Sequence, residues 1–374
     1  MATVTVIRPR PRLRPLARTR PRWDLAQLGP NWYAAVMGTA ITANGALALP
    51  YQVPGRLVFA RAVWVLALVS LLVLLGARLV HLVRHRAAAR EQLLENPATA
   101  FFYGCPPMAL LAVGYGTLAI GPALLGSGPA VVLDAVLWSL GTLYAVLVAA
   151  GIPYLMLTRH ELSALRANPT WLLPVVAPMV SAALGPALLP HLPAALRPHL
   201  LYACYALFGA SLLATLVVLP VVFAGLVHSK LPALVLTPSL FLVLGPLGQS
   251  TTAVGNLADA ARPVAPRLAG AALDFAILYG VAVLGFAVLW LLIAGAVNLR
   301  ALRRHRMPFA MTWWAFTFPV GTCVTGAAGL ARHTGLAGFG WLAAGLYGLL
   351  LLAWAVAGGR TLAGLLGGRL LRAA

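Results

Sequence analysis

The residues of this chain whose types and spacing bear on chemistry are hydroxyls and amides set inside apolar runs. Gln249, Ser250, Thr251, Thr252 and Asn256 cluster in one run. Thr39, Thr42 and Asn44 occupy another, Ser181 a third, and Thr317, Thr322 and Thr325 a fourth. Such donors replace part of an anion's hydration shell without the tight hold of a fixed cation. They are the lining expected of a passage for anions or neutral solutes. A second reading of each is a hydroxyl bonded back to its own helix or across to a neighbour.

Groups for other chemistry are sparse. Seven acidic residues are present, and only Asp134 and Asp274 fall within apolar runs, near their starts. Carboxylates in mid-membrane serve as ion relays, and none is evident here. The eight histidines lie at run ends and in gaps, which argues against a haem carrier or a membrane-embedded enzyme. His81 and His85 stand four apart, a spacing that can hold a metal on a helix. Arg78, Arg84 and Arg86 around them make a poor cation site, so no metal and no cofactor is implied. Cys105, Cys204 and Cys323 lie singly in apolar runs, in neither a disulfide nor a metal-ligand pattern. No phosphate-binding GxxxxGK[ST] loop is present, which argues against an ATP-driven pump.

The elements that must position these groups are membrane spans. Of 374 residues, 61% are apolar and 9% charged; soluble domains are roughly 25% charged. Runs long enough to cross a bilayer fall at 32–50, 57–83, 101–125, 131–157, 171–191, 200–227, 236–256, 269–297, 308–330 and 336–365. The net charge of +20 comes from 26 Arg and one Lys against the seven acids. These bases lie in the gaps between runs rather than on one soluble face, which sets nucleic-acid binding aside. With ten spans, 21 basic residues fall on the side of both termini and six on the other: Arg56, Arg61, Arg197, Arg262, Arg267 and Arg332. Basic residues are retained on the cytoplasmic face, so both termini are expected there. Residues 1–30, with the Arg/Pro stretch from Arg8 to Arg22, read as a disordered basic tail near anionic lipid. Residues 31–366 read as the transmembrane domain and 367–374 as a short basic end.

The spans alternate in composition. Odd spans hold 12 prolines and 16 Ser, Thr, Asn or Gln, even spans two and six. Freed backbone groups are tolerated at membrane depth only where protein or a water-filled cavity surrounds them. The alternation predicts five successive helical hairpins, with odd helices lining a central route and even helices facing lipid. Pro107, Pro178, Pro246 and Pro319 are the expected kink sites.

Four segments carry a resemblance: NWYAAVMGT (Asn31–Thr39), NPATAFFYGCPPM (Asn96–Met108), TPSLFLVLGPLGQ (Thr237–Gln249) and WWAFTFPVGT (Trp313–Thr322). With the ten-span count, the chain resembles the tellurite-resistance/dicarboxylate transporter family. That family takes in TehA, malate permeases, sulfite efflux pumps and slow-type anion channels. The resemblance implies an all-α membrane protein with quasi-five-fold symmetry, assembled as a homotrimer with one pore per subunit. It implies that Phe318 occludes the pore, while Phe316 points to another helix face. The function it implies is passage of small inorganic or carboxylate anions. The alternatives are proton-coupled C4-dicarboxylate transport, or sulfite- or tellurite-related efflux, in the plasma or inner membrane. Ala40 departs from the M-G-T-G pattern of the permease and sulfite-pump branch.

Overall fold

The computed structural model describes residues 25–230, 233–305, 307–368 and 370. Most of the tail (residues 1–24), residue 369 and residues 371–374 lie outside the described residues. Among the described residues there is no strand. The ten longest helices, in chain order, are α1 (Tyr33–Ala48), α2 (Arg56–Arg84), α3 (Cys105–Ile120), α4 (Ser127–Thr158) and α5 (Leu172–Leu184), then α6 (Arg197–Ser229), α7 (Leu244–Val264), α8 (Ala269–His305), α9 (Phe318–Thr334) and α10 (Ala337–Leu366). Eight segments are long and apolar enough to cross a membrane. The exceptions are α1, and α7, which carries Gln249, Ser250, Thr251, Thr252, Asn256, Asp259 and Arg262.

The helices form two layers. The most apolar windows of the segments containing α3, α5 and α9 are 78–89% buried, those of α2, α4, α6, α8 and α10 only 22–33%. Inner helices follow one another around a closed cycle: α1 touches α3, α3 touches α5, α5 touches α7, α7 touches α9, and α9 returns to α1. Each outer helix packs against the inner helix before it and also the one after it, α10 completing the round on α1. Leu, Val and Phe side chains cover the outward faces, as with Leu72, Leu147, Val217, Leu292 and Leu352.

Outer and inner layers are stitched by single hydrogen bonds in otherwise apolar seams. Trp64 Nε1 donates to Thr117 Oγ1 at 3.2 Å, Trp138 Nε1 to the Ser181 carbonyl at 3.1 Å and Trp290 Nε1 to the Leu240 carbonyl at 2.9 Å. Ser211 Oγ reaches the Val175 carbonyl at 2.6 Å. From α10, Trp354 Nε1 donates to Thr39 Oγ1 at 3.1 Å, and Tyr347 OH to the Thr42 carbonyl at 3.0 Å. A buried indole or phenol that lacked a partner would cost about 1–3 kcal/mol, so these pairs fix how the layers register.

Every inner helix is preceded by a 3-10 segment: Pro30–Trp32, Phe101–Gly104, Pro169–Trp171, Thr237–Val243 and Met311–Phe316. A shared local chemistry produces these openings. Prolines 30, 97, 169 and 238 occupy first-turn positions, where the missing N–H is no loss. Asn96 and Asn168 cap two openings, their Oδ1 accepting from Thr99 N at 3.2 Å and Thr170 N at 3.1 Å. Pro107, Pro246 and Pro319 lie in the first turn of α3, α7 and α9, just after the junction with the preceding 3-10 segment. Pro178 lies inside α5.

The basic tail ends earlier than its composition suggests. Leu25–Gln27 forms a 3-10 turn and Leu28 is buried. Arg78, buried near the end of α2, donates to the Leu28 carbonyl at 2.5 Å, to Gln92 Oε1 and to Tyr103 OH. His81 Nδ1 lies 2.7 Å from the Leu25 carbonyl. Arg78 and His81 thus anchor the chain's entry to the bundle, and the His85 ring lies 5.9 Å from that of His81.

Candidate functional site

Within the ring of inner helices, each helix turns one stripe of residues inward. On α1 these are Met37, Ile41, Asn44 and Ala48, and on α3 they are Met108, Ala112 and Tyr115. On α7 they are Gln249, Thr252 and Asn256, and on α9 Phe318, Thr325 and Arg332. The spacings of three, four and seven keep each set on one helix face.

The stripes bound spaces of unequal character on the two sides of Phe318. Toward the C-terminal ends of the inner helices lies a cavity of about 360 Å³, open at its mouth. Asn44, Gln52, Arg56, Tyr115, Gln249, Thr252, Asn256, Thr325 and Arg332 give it polar walls, and no carboxylate lines it. Toward the 3-10 openings lie two voids of about 20 Å³ each, bounded by Met37, Leu173, Leu242, Phe318 and Pro319 among others. Phe318, 3% exposed, borders all three spaces. It is the first residue of α9, immediately after Thr317, whose hydroxyl closes the preceding 3-10 turn onto the Trp314 carbonyl at 2.6 Å. Phe316 points away, its ring edge-on to Phe241 at 4.8 Å and to Trp313 at 5.9 Å.

The cavity mouth is electropositive. Arg56 is held by the Leu49 and Tyr51 carbonyls at 2.9 and 2.8 Å, and by Gln52 Oε1 at 3.1 Å. Neutral acceptors leave its charge uncompensated. Arg332 reaches Asp259 only at 3.9 Å, and that carboxylate also lies 2.9 Å from His333 Nε2. Inside, Asn44 Nδ2 is tied to the Ala112 carbonyl at 3.0 Å and Asn256 Nδ2 to the Ala183 carbonyl at 2.8 Å. Thr252 Oγ1 lies 2.7 Å from Thr325 Oγ1, joining α7 to α9 at the wall.

Of the hydroxyls and amides singled out from the sequence, Asn44, Gln249, Thr252, Asn256 and Thr325 line this cavity. Thr39, Thr42, Ser181, Ser250, Thr251, Thr317 and Thr322 line none of the spaces described above. All of them but Ser181 bond the carbonyl three or four residues back, as a hydroxyl in a buried helix can, and the cavity-lining Thr252 and Thr325 do the same. Thr39 bonds Ala35, Thr42 bonds Gly38, Ser250 and Thr251 bond Leu247, and Thr322 bonds Pro319. Ser181 is fully buried beside the Trp138 contact. Arg56, Tyr115 and Arg332 were not among the residues expected to line the route. A seven-residue step from Phe318 through Thr325 to Arg332 was the available signal.

Residues 27–362 match the voltage-dependent anion channel family (SLAC1). The chain is 28% identical to a sulfite efflux pump of Trichophyton rubrum over 326 residues, covering 85% of each protein. It is likewise 28% identical, over 328 residues, to a sulfite efflux pump of Arthroderma otae, again with 85% of each covered. An uncharacterized transporter of Methanocaldococcus jannaschii is 25% identical over 328 residues, 87% of this chain and 90% of that protein. With apolar helices of spanning length and a match over nearly its whole length, this integral membrane protein belongs to the voltage-dependent anion channel family.

Proposed function

We propose that the protein is a channel-like conduit for small anions, closed at Phe318. On this reading all ten long helices cross the bilayer as five hairpins with quasi-five-fold symmetry, and α1, α3, α5, α7 and α9 enclose the route. The observation that carries it is the position of Phe318, which separates a polar, basic-mouthed cavity from apolar voids along one axis. The bias of basic residues puts both termini in the cytoplasm of a plasma or inner membrane, and the polar cavity then opens outward. The subunit is complete as a conduit and assembles as a homotrimer with one route per copy. Transport needs no covalent chemistry and no cofactor. A negative-inside potential contributes about 2.3 kcal/mol per charge per 100 mV toward anion exit.

The likeness to two fungal sulfite efflux pumps favours sulfite as a cargo. The test is an anion-replacement series in proteoliposomes with chloride, nitrate, sulfite and malate. Currents that follow each anion's Nernst potential at every pH are the expected result. Currents whose reversal shifts with the proton gradient would transfer the assignment to proton-coupled dicarboxylate or sulfite transport.

The basic mouth yields its own expected outcome. Arg332→Ala should lower inward anion flux about threefold at low ionic strength and flatten its dependence on salt, because a charged cleft concentrates counter-ions within a Debye length. Arg332→Lys should keep most of the effect. Flux measured at two salt concentrations checks both.

A further inference from the structure

The two sides of Phe318 differ in a way that one aromatic gate does not account for. On the outer side, polar groups and about 360 Å³ of space accommodate a hydrated anion. On the inner side the same stripes continue as Met37, Met108, Leu173, Val176 and Leu242, contributed by α1, α3, α5 and the 3-10 segment before α7. All five are at least nine-tenths buried. The space among all five is a void of about 20 Å³, room for one water at most, and a water needs two to four polar partners to stay; a second void of about 20 Å³, bordered by Met37, Leu173 and Leu242, also touches Ser239 and Thr312. Apolar constrictions stop ions by excluding water.

We propose that these five residues form an apolar collar, a dry stretch continuous with Phe318, so that ring and collar each add to one barrier to conduction. The inference rests on the reading of the inner helices as the walls of the route. Two of the five are methionines, flexible side chains that can yield without movement of the helices. The collar therefore opens more gradually than a rigid leucine ring.

Val176→Thr keeps volume and shape while adding a hydroxyl, and it tests the collar with little threat to folding. Full-length protein in proteoliposomes carrying Val176→Thr together with Phe318→Ala should conduct roughly tenfold more than Phe318→Ala alone, as expected for wetting of a constriction. Leu242→Thr provides a second variant at another point of the collar.

Cys105 supplies an independent readout, because it borders the same void as Met37, Leu173 and Leu242 and is 1% exposed. In a Cys204→Ala, Cys323→Ala background, a negatively charged methanethiosulfonate applied outside should modify Cys105 about tenfold more slowly in Phe318→Ala than in the double variants. The collar is overturned if Phe318→Ala labels Cys105 as fast as they do or if neither threonine adds conductance. If every variant, Phe318→Ala included, stays at the wild-type level while folding normally, it is the conduit reading that falls.

Discussion

Phe318→Ala should raise anion conductance by roughly tenfold or more over wild type, since a ring that excludes water from a narrow path acts on the barrier itself. The ring separates the polar cavity from the apolar voids, so its removal joins them. Truncating a buried phenylalanine in a dry core costs about 3–5 kcal/mol, much of it for the empty space left behind. Here one wall of that space is already the open cavity, so water fills it and the variant should remain folded. Phe316→Ala is the informative control. Its ring packs on Phe241 and Trp313 in a helix seam, and its loss should reduce stability without adding current. Voltage-clamped bilayers, with protein quantity and thermal unfolding measured in parallel, check both. A folded Phe318→Ala protein with wild-type conductance would end the assignment of this residue as the gate.

The second large effect is on folding. Gly248→Leu should abolish recovery of folded protein. A Cβ at this position would overlap the Cys323 backbone nitrogen and lie 2.5 Å from Thr322 Oγ1. Backbone at the α7–α9 contact has no rotamer to escape into, and overpacking costs of about 1–3 kcal/mol per misfit group multiply along a seam. That seam also carries the Thr252–Thr325 contact at the cavity wall, so even a rescued protein should be altered in transport. Gly285→Ala supplies the contrast. It is exposed on α8, and a Cβ there meets nothing within 4 Å; replacing a mid-helix glycine by alanine gains about 0.5–1 kcal/mol. Size-exclusion profiles and melting temperatures in detergent distinguish the two.

Several of these features can be read from the residues alone, and the reasons differ for those that cannot. The alternation of proline and small polar residues marks which helices lie inside, because lipid does not tolerate what protein and water do. Counting the adjoining 3-10 stretches, the helix limits agree within about five residues, except that α7 runs on to Val264 and α8 to His305, beyond the expected ends at 256 and 297. Which hydroxyl faces the cavity was not legible. Between Val36 and Ala46 every residue of α1 is buried, so no apolar stripe distinguishes lumen from seam, and Thr42 and Asn44 look alike in sequence. Arg56 and Arg332 were read only as markers of orientation, since a charge near a span end serves topology equally well. Four of the five 3-10 openings are obscured for another reason: Asn-Pro, Thr-Pro and Gly-Pro turns differ in letters while serving the same backbone need.

The bonds from Tyr347 and Trp354 to α1 carry a consequence for the order of events at the ribosome. Their partners, Thr42 and Thr39, precede them by 305 and 315 residues. At about 5–20 residues per second, roughly 15 to 60 seconds pass between the appearance of the first helix and of the residues that seal it. During that interval α1 has α2 and α3 beside it, but its flank toward α9 and α10 is open to whatever the membrane offers. The last pair to be made closes the ring, and the earliest contacts wait longest for their final partners.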